Sequence, residues 1–209
     1  MGSIAIVDYG MGNLRSVAKA VERVAGNTKV LITHRPDEIR RADRIVLPGQ
    51  GAAGECMAAL KRHGLEEDIK HVSNSRPLLG ICMGMQVLLS HSAENGGVDC
   101  LGLFSGDVRP FMDKLDTQVL KVPHMGWNKV FQSQPHTLWH KIEDGARFYF
   151  VHSYYVQTDS EDMALGYAHY GIPFVAAVGC DNIFAIQCHP EKSAENGLQL
   201  LKNFVEWTI

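Results

Sequence analysis

The chain has 209 residues, 45% of them hydrophobic and 21% charged, the makeup of a soluble globular protein and enough for one full core, so a single domain over residues 1–209 is expected. A net charge of −3 without any Lys/Arg cluster leaves nothing to grip a phosphate backbone, which excludes nucleic acid as a partner. The opening MGSIAIVDYG is a short apolar run with no basic leader, broken by Asp8, so neither a signal peptide nor a membrane span is expected and the protein is read as cytoplasmic.

Residues 4–7 form a short β-prone run closed by Asp8, and Leu14, Val17, Ala18, Val21, Val24 and Ala25 then recur at helical spacing behind Asn13, a residue suited to cap a helix. A strand followed by an amphipathic helix is predicted. Residues 29–33 and 44–47 are the next strand candidates, the second running into Pro48-Gly49-Gln50-Gly51 and an alanine-rich helix that reaches about Arg62. Residues 78–81 repeat the arrangement between Pro77 and Gly84. These runs are continuously apolar, as in strands covered on both faces, so the expected fold class is α/β, a mainly parallel central sheet flanked by helices. After Gly106 come strand-like segments at 119–122, 148–156, 174–178 and 183–188, expected to add antiparallel strands to the same sheet. A last helix starts near Ser193, placed to cap it, with Leu198, Leu201 and Val205 toward the core.

Two places carry chemistry. Gly80-Ile81-Cys82-Met83-Gly84 has the spacing of a nucleophile elbow with cysteine for serine, where an apolar strand meets a helical pattern through Met85, Val87, Leu88 and Leu89. Such a turn strains the nucleophile's backbone and needs small flanking residues, while a helix N-terminus behind Cys82 favours thiolate over thiol. The Met83 N–H is then placed to donate to a developing oxyanion. Alone, the pentapeptide fits a buried core cysteine beside two loop glycines equally well. The second place is Phe184-Ala185-Ile186-Gln187-Cys188-His189-Pro190-Glu191, an apolar strand ending in His-x-Glu. Pro190 biases His189 toward extended geometry, in which Glu191 shares its face, can fix the imidazole tautomer and leaves the other nitrogen for a thiol. Alone, it is also a surface His-Pro-Glu turn.

The five cysteines, Cys56, Cys82, Cys100, Cys180 and Cys188, are odd in number and form no C-x-x-C pair, so neither a disulfide framework nor a metal site is expected. The Gly10-x-Gly12 turn fails as a dinucleotide fingerprint because position 15 is Arg rather than Gly or Ala.

GICMGMQ and QCHPE together resemble the class I glutamine amidotransferases, in which a Cys-His-Glu triad hydrolyses the side-chain amide of glutamine. IVDYGMGNL, LPGQGA, VPHMGWN and FYFVHSYY narrow the resemblance to the glutaminase subunits of imidazole glycerol phosphate synthases, with matches from residue 4 to residue 191. The resemblance implies a flavodoxin-like class I glutaminase fold with Cys82 as nucleophile, His189 as base and then acid, and Glu191 as orienting carboxylate. It places the oxyanion donors at Met83 and in the Gln50-Gly51 backbone, and it puts Gln86, Ser153 and Tyr154 near the substrate, L-glutamine. Pro123, His124, Met125 and Trp127 fall at the partner interface or ammonia path, the partner being a TIM-barrel cyclase, with no metal or organic cofactor required. It further implies an oxyanion loop that can rest turned away until the partner engages.

Local alternatives stay open: Gln86 as a polar residue on an exposed helix face, Tyr154 as core, and His124 and Trp127 as supports of a tight loop around Gly126. So do a paralogous glutaminase feeding another synthase, a stand-alone cysteine hydrolase, and a non-catalytic binding module.

Overall fold

The computed structural model describes residues 2–115 and 118–209. The first half alternates as β1 (Ser3–Val7), α1 (Leu14–Val24), β2 (Lys29–Thr33), α2 (Pro36–Arg41), β3 (Arg44–Gly49), α3 (Ala53–Arg62), α4 (Glu66–Ser73) and β4 (Leu78–Cys82). β4 passes directly into the single turn α5 (Met83–Gln86), followed by β5 (Leu89–Ser92), β6 (Val98–Asp99) and β7 (Phe104–Pro110). Then come β8 (His124–Gln132), β9 (Ala146–His152), β10 (Tyr154–Thr158), β11 (Ala164–Tyr170), β12 (Ile172–Cys180), β13 (Ile183–Ile186) and α6 (Ala194–Glu206).

Among the described residues these strands form one sheet in the order β2-β1-β3-β4-β13-β12-β10-β7-β5-β6, with β11, β8 and β9 branching from β12. From β2 to β13 every neighbouring pair is parallel. β12 reverses against β13 and opens the antiparallel half. Successive side chains of one strand point to opposite faces. Ala5 and Val7 therefore join Ile45, Leu47 and the α3 residues Cys56 and Leu60, while Ile4 and Ile6 join Val46, Leu79 and the α6 residues Leu200 and Phe204. Each such fully buried aliphatic side chain contributes about 1.5–3 kcal/mol, which is why the central strands read as unbroken apolar runs.

The structure departs from the sequence reading in several places. α1 starts as expected, with Asn13 accepting a hydrogen bond from the Ser16 N–H at 3.3 Å. Residues 119–122 form no strand: Val119 is 76% exposed, and Pro123 has no N–H to continue a ladder. The run 148–156 is two strands that break at Ser153. VPHMGWN is not a loop; from His124 onward it is β8, paired with β9. The helix behind Cys82 ends after one turn, because Val87, Leu88 and Leu89 are buried on all sides and their spacing cannot separate helix from strand. In α6 the inward residues are Gly197, Leu200, Leu201, Asn203 and Phe204, with Leu198 and Val205 only half-buried. The sequence reading misses α2 and α4, although α2 carries Pro36 at its first position, Asp37 and Glu38 in its first turn and Arg40 and Arg41 in its last. No helix among the described residues is long and apolar enough to cross a membrane.

Candidate active site

Gly49 of β3 lies opposite Cys82 of β4, so the Gln50-Gly51 loop and the cysteine elbow leave the sheet at the same edge. Cys82 has φ 56° and ψ −112°, a backbone region that costs a residue with a side chain on the order of 1–3 kcal/mol. Packing around it enforces the turn. A Cβ on Gly84 would overlap the Leu47 carbonyl oxygen, and one on Gly80 would lie 2.9 Å from the Ala185 Cβ. Because α5 is one turn long, the elbow offers backbone N–H groups rather than the larger dipole expected of a full helix.

β13 ends at Ile186, and three residues later His189 keeps an extended backbone (φ −103°, ψ 93°) before a 3-10 turn over Pro190–Lys192. The His189 N–H donates to the Tyr149 carbonyl at 2.8 Å. Ser193 Oγ donates to the His189 carbonyl at 2.6 Å and accepts from the Tyr149 N–H at 2.9 Å, so this hydroxyl ties the base to β9 instead of capping α6. His189 Nδ1 lies 2.8 Å from Glu191 Oε1, and a carboxylate only accepts, so Nδ1 carries a proton. Both side chains are buried.

Cys82 and His189 line one cavity of about 260 Å³. Burial by itself lowers the His189 pKa; the Cys82 sulfur and the Glu191 carboxylate outweigh it and raise it to about 10. The sulfur is near enough for that coupling, yet Nε2 closes no hydrogen bond to a described group. Catalytic pairs commonly show such open geometry before substrate arrives. Elsewhere burial pushes Cys56 and Cys100 up to about 11 and Cys188 well above the ordinary thiol value, keeping those sulfurs protonated at neutral pH.

Gln50, Gly51, Met83, Gln86, Ser153 and Tyr154 line the same cavity, as does Pro123. Gln86 is 2% exposed, which removes its reading as a polar residue on an open helix face. Its Nε2 donates to Gln187 Oε1 at 2.9 Å and to the Tyr154 carbonyl at 3.4 Å, while its Oε1 is buried without a protein partner. Strand alternation splits the group expected at the partner interface or ammonia path: Met125 and Trp127 are 61% and 45% exposed on β8, whereas His124 points inward.

Two polar residues of the cavity wall, Glu94 and His152, and one buried behind Cys82, Gln187, are not singled out by the sequence reading. Glu94 sits in a 3-10 turn after β5, its Oε2 accepting from the Ala53 N–H at 2.7 Å, and no local pattern marks it. His152, the last residue of β9, also lines the cavity. Gln187 did carry a signal, since it precedes His189 by two residues on an extended segment; its Nε2 lies 3.7 Å from Cys82 Sγ. A larger, open concavity of about 1000 Å³ near His136 and Trp207 contains neither an elbow nor a base–carboxylate pair.

Comparison with known proteins places these features. The family model described as "Glutamine amidotransferase class-I" matches residues 5–207. The chain is 55% identical over 209 residues to the "Imidazole glycerol phosphate synthase subunit HisH" of Pseudomonas putida, covering 99% of this chain and 98% of that one. It is 56% identical over 208 residues to the protein of the same name from Thiobacillus denitrificans, covering 98% and 91%. In fold it is similar to the solved structure of PurLQS from Thermotoga maritima, with a TM-score of 0.75 at 16% identity over 98% of each chain. It is similar also to the glutaminase domain of Trypanosoma brucei CTPS, with a TM-score of 0.66 at 17% identity over 100% of this chain and 96% of that one.

Proposed function

This chain belongs to the class I glutamine amidotransferase family, and on that premise we propose that it hydrolyses L-glutamine at Cys82 and passes the ammonia to the cyclase of an imidazole glycerol phosphate synthase. The observation that carries the reading is the meeting, in one cavity, of a cysteine on a strained elbow with an imidazole whose far nitrogen is held by a buried carboxylate.

The Cys82 thiolate adds to the side-chain carbonyl carbon of glutamine. The oxyanion is taken up by the Met83 N–H and the Gln50-Gly51 backbone, and losing one donor of this kind costs roughly 3–4 kcal/mol. His189, protonated on both nitrogens, gives its Nε2 proton to the departing nitrogen; the carbon–nitrogen bond breaks, ammonia leaves and a thioester remains. Water then adds to the thioester as neutral His189 takes its proton, and expulsion of the thiolate yields glutamate and restores the charged pair. Glu191 accepts from His189 Nδ1 and holds the ring's orientation and tautomer as the imidazolium forms and discharges. Glu94 is the one carboxylate among the described residues lining the cavity and complements the substrate's ammonium group. It lies near Tyr154, whose hydroxyl is raised by burial and then by the Glu94 charge, so the amino-acid end of glutamine rests against Ser153 and Tyr154.

Ammonia released into neutral water would be protonated and lose its nucleophilicity, hence the transfer through a sealed interface. Exposed Met125 and Trp127 on β8 supply an apolar and aromatic face of the kind interfaces use. Glutamate release, measured with and without a cyclase partner and its ligand, tests the reading: the expected result is co-elution and faster release, and a complex that forms yet frees no glutamate would falsify it.

A further inference from the structure

The Tyr154 carbonyl is held from behind by a chain of polar groups that the reaction itself does not use. His152 Nδ1 lies 2.7 Å from it, and a carbonyl only accepts, so Nδ1 bears the hydrogen. In a neutral ring Nε2 is then a bare acceptor, and His124 Nδ1, 2.8 Å away, must be its donor. That leaves His124 Nε2 to accept from Asn128 Nδ2 at 3.2 Å. The Asn128 amide is oriented by two further bonds: Nδ2 donates to the His169 carbonyl at 2.9 Å, and Oδ1 accepts from the Lys129 N–H at 2.8 Å. Every bond therefore has one direction, from Asn128 to His124 to His152 to the Tyr154 carbonyl. The neighbouring Ser153 carbonyl is separately fixed by the Phe111 N–H at 3.0 Å.

The two rings are enclosed by aromatic side chains. His124 stacks on Tyr170 and Phe150 with centroids 4.2 and 5.0 Å away, and His152 meets Phe111 and Phe174 at 5.2 Å each. Burial pushes His124 down to about 4 and His152 to about 3, where the nearby His189 and His124 add to the effect against a raising bond to Tyr154. A second proton on either ring would set donor against donor and break the relay.

We infer that His124 and His152 are positioning residues for glutamine, a neutral pair locked in one tautomer that holds the Tyr154 backbone in the cavity wall against the substrate's amino-acid end. The inference rests on the glutaminase reading given above. Because the pair acts on the wall and touches no reacting atom, its loss is borne by KM rather than kcat.

The test compares His124→Leu with His124→Asn in the full chain bound to its cyclase partner. The asparagine amide keeps a donor near the former Nδ1, whereas leucine leaves His152 Nε2 without one. The expected result is a KM for glutamine raised about tenfold in His124→Leu with kcat within about twofold, and most of the loss recovered in His124→Asn. Equal KM changes in the two variants, a loss carried by kcat, or a KM that merely tracks the unfolding midpoint overturns the inference. Nitrogen-15 NMR of the wild-type imidazoles at pH 7 keeps the idea falsifiable if the variants fail to fold: both rings should be neutral Nδ1–H tautomers, and an Nε2–H or charged ring at either position refutes it. A wild-type complex that releases no glutamate refutes the glutaminase reading instead, whatever the tautomers.

Discussion

His189 and His152 line the same cavity and are buried alike, 5% and 6% exposed, yet their pKa values are shifted in opposite directions. Burial pushes both toward neutrality. His189 has a carboxylate on one nitrogen and a sulfur beyond the other, and it rises to about 10. His152 has a carbonyl on one side and an imidazole on the other, and it falls to about 3. Partner charge, not depth, sets the proton. One wall of the cavity thus favours an imidazolium that can hand its proton on in the reaction, while the adjacent wall favours neutral rings and serves as scaffold.

That contrast breaks most sharply at the nucleophile. Cys82→Ala removes the sulfur and with it one of the two groups that raise His189, and glutamine-dependent turnover should fall by about 10⁴-fold or more while the complex still works with supplied ammonia. His189→Ala should lose a similar amount, and the double variant no more than either, because nucleophile and base act as a unit. Turnover within tenfold of wild type in either single variant, measured as glutamate release, places the chemistry elsewhere.

Glu191→Gln keeps a polar side chain and deletes the charge. Turnover should drop by roughly 10²–10⁴-fold, less than for Cys82→Ala. The His189 pKa, followed by NMR, should move down from about 10; an unchanged value means the carboxylate is not what holds the proton.

Stability against pH sharpens the contrast, because the two regions give slopes of opposite sign. The His189 stabilisation is fully present below the ordinary histidine value of 6.5 and is lost as pH rises through about 10, since across that window the folded chain holds a proton the unfolded chain has released. For His124 and His152 the contribution is present above 6.5 and is lost as pH falls toward about 4 and 3. Denaturant unfolding from pH 4 to pH 10 should show both declines, with Cys82→Ala flattening only the alkaline one. If it flattens the acid arm as well, the sulfur itself acts on the neutral pair and the contrast fails.

The smallest effect is expected outside both regions. Trp127→Ala, on the exposed face of β8, should change the stability of the isolated chain by no more than about 0.5 kcal/mol while weakening association with the cyclase. Unaltered binding by calorimetry would move the interface elsewhere.

Much of the parallel half was legible because its physics is local. The apolar runs of β1, β3 and β4, the Asn13 cap and the glycine-flanked cysteine each announce themselves within a few residues. The antiparallel half was less so. Whether residues 119–122 pair, where the chain breaks at Ser153 and which face of β8 looks inward depend on partner strands far away in the chain. Glu94 shows the same limit, for it reaches the cavity only because the turn after β5 packs against the start of α3.

By itself the sequence determined the residue types of the reaction and their immediate geometry: a cysteine that must sit at a strained turn, and a histidine with a carboxylate two residues on. Only the tertiary structure decided that these meet across the parallel pairing of β4 with β13, and that a second histidine on the same cavity is neutral. The physical reason is that backbone strain and i, i+2 contacts are set by neighbouring residues, whereas a buried proton is set by whichever charges the fold brings to it.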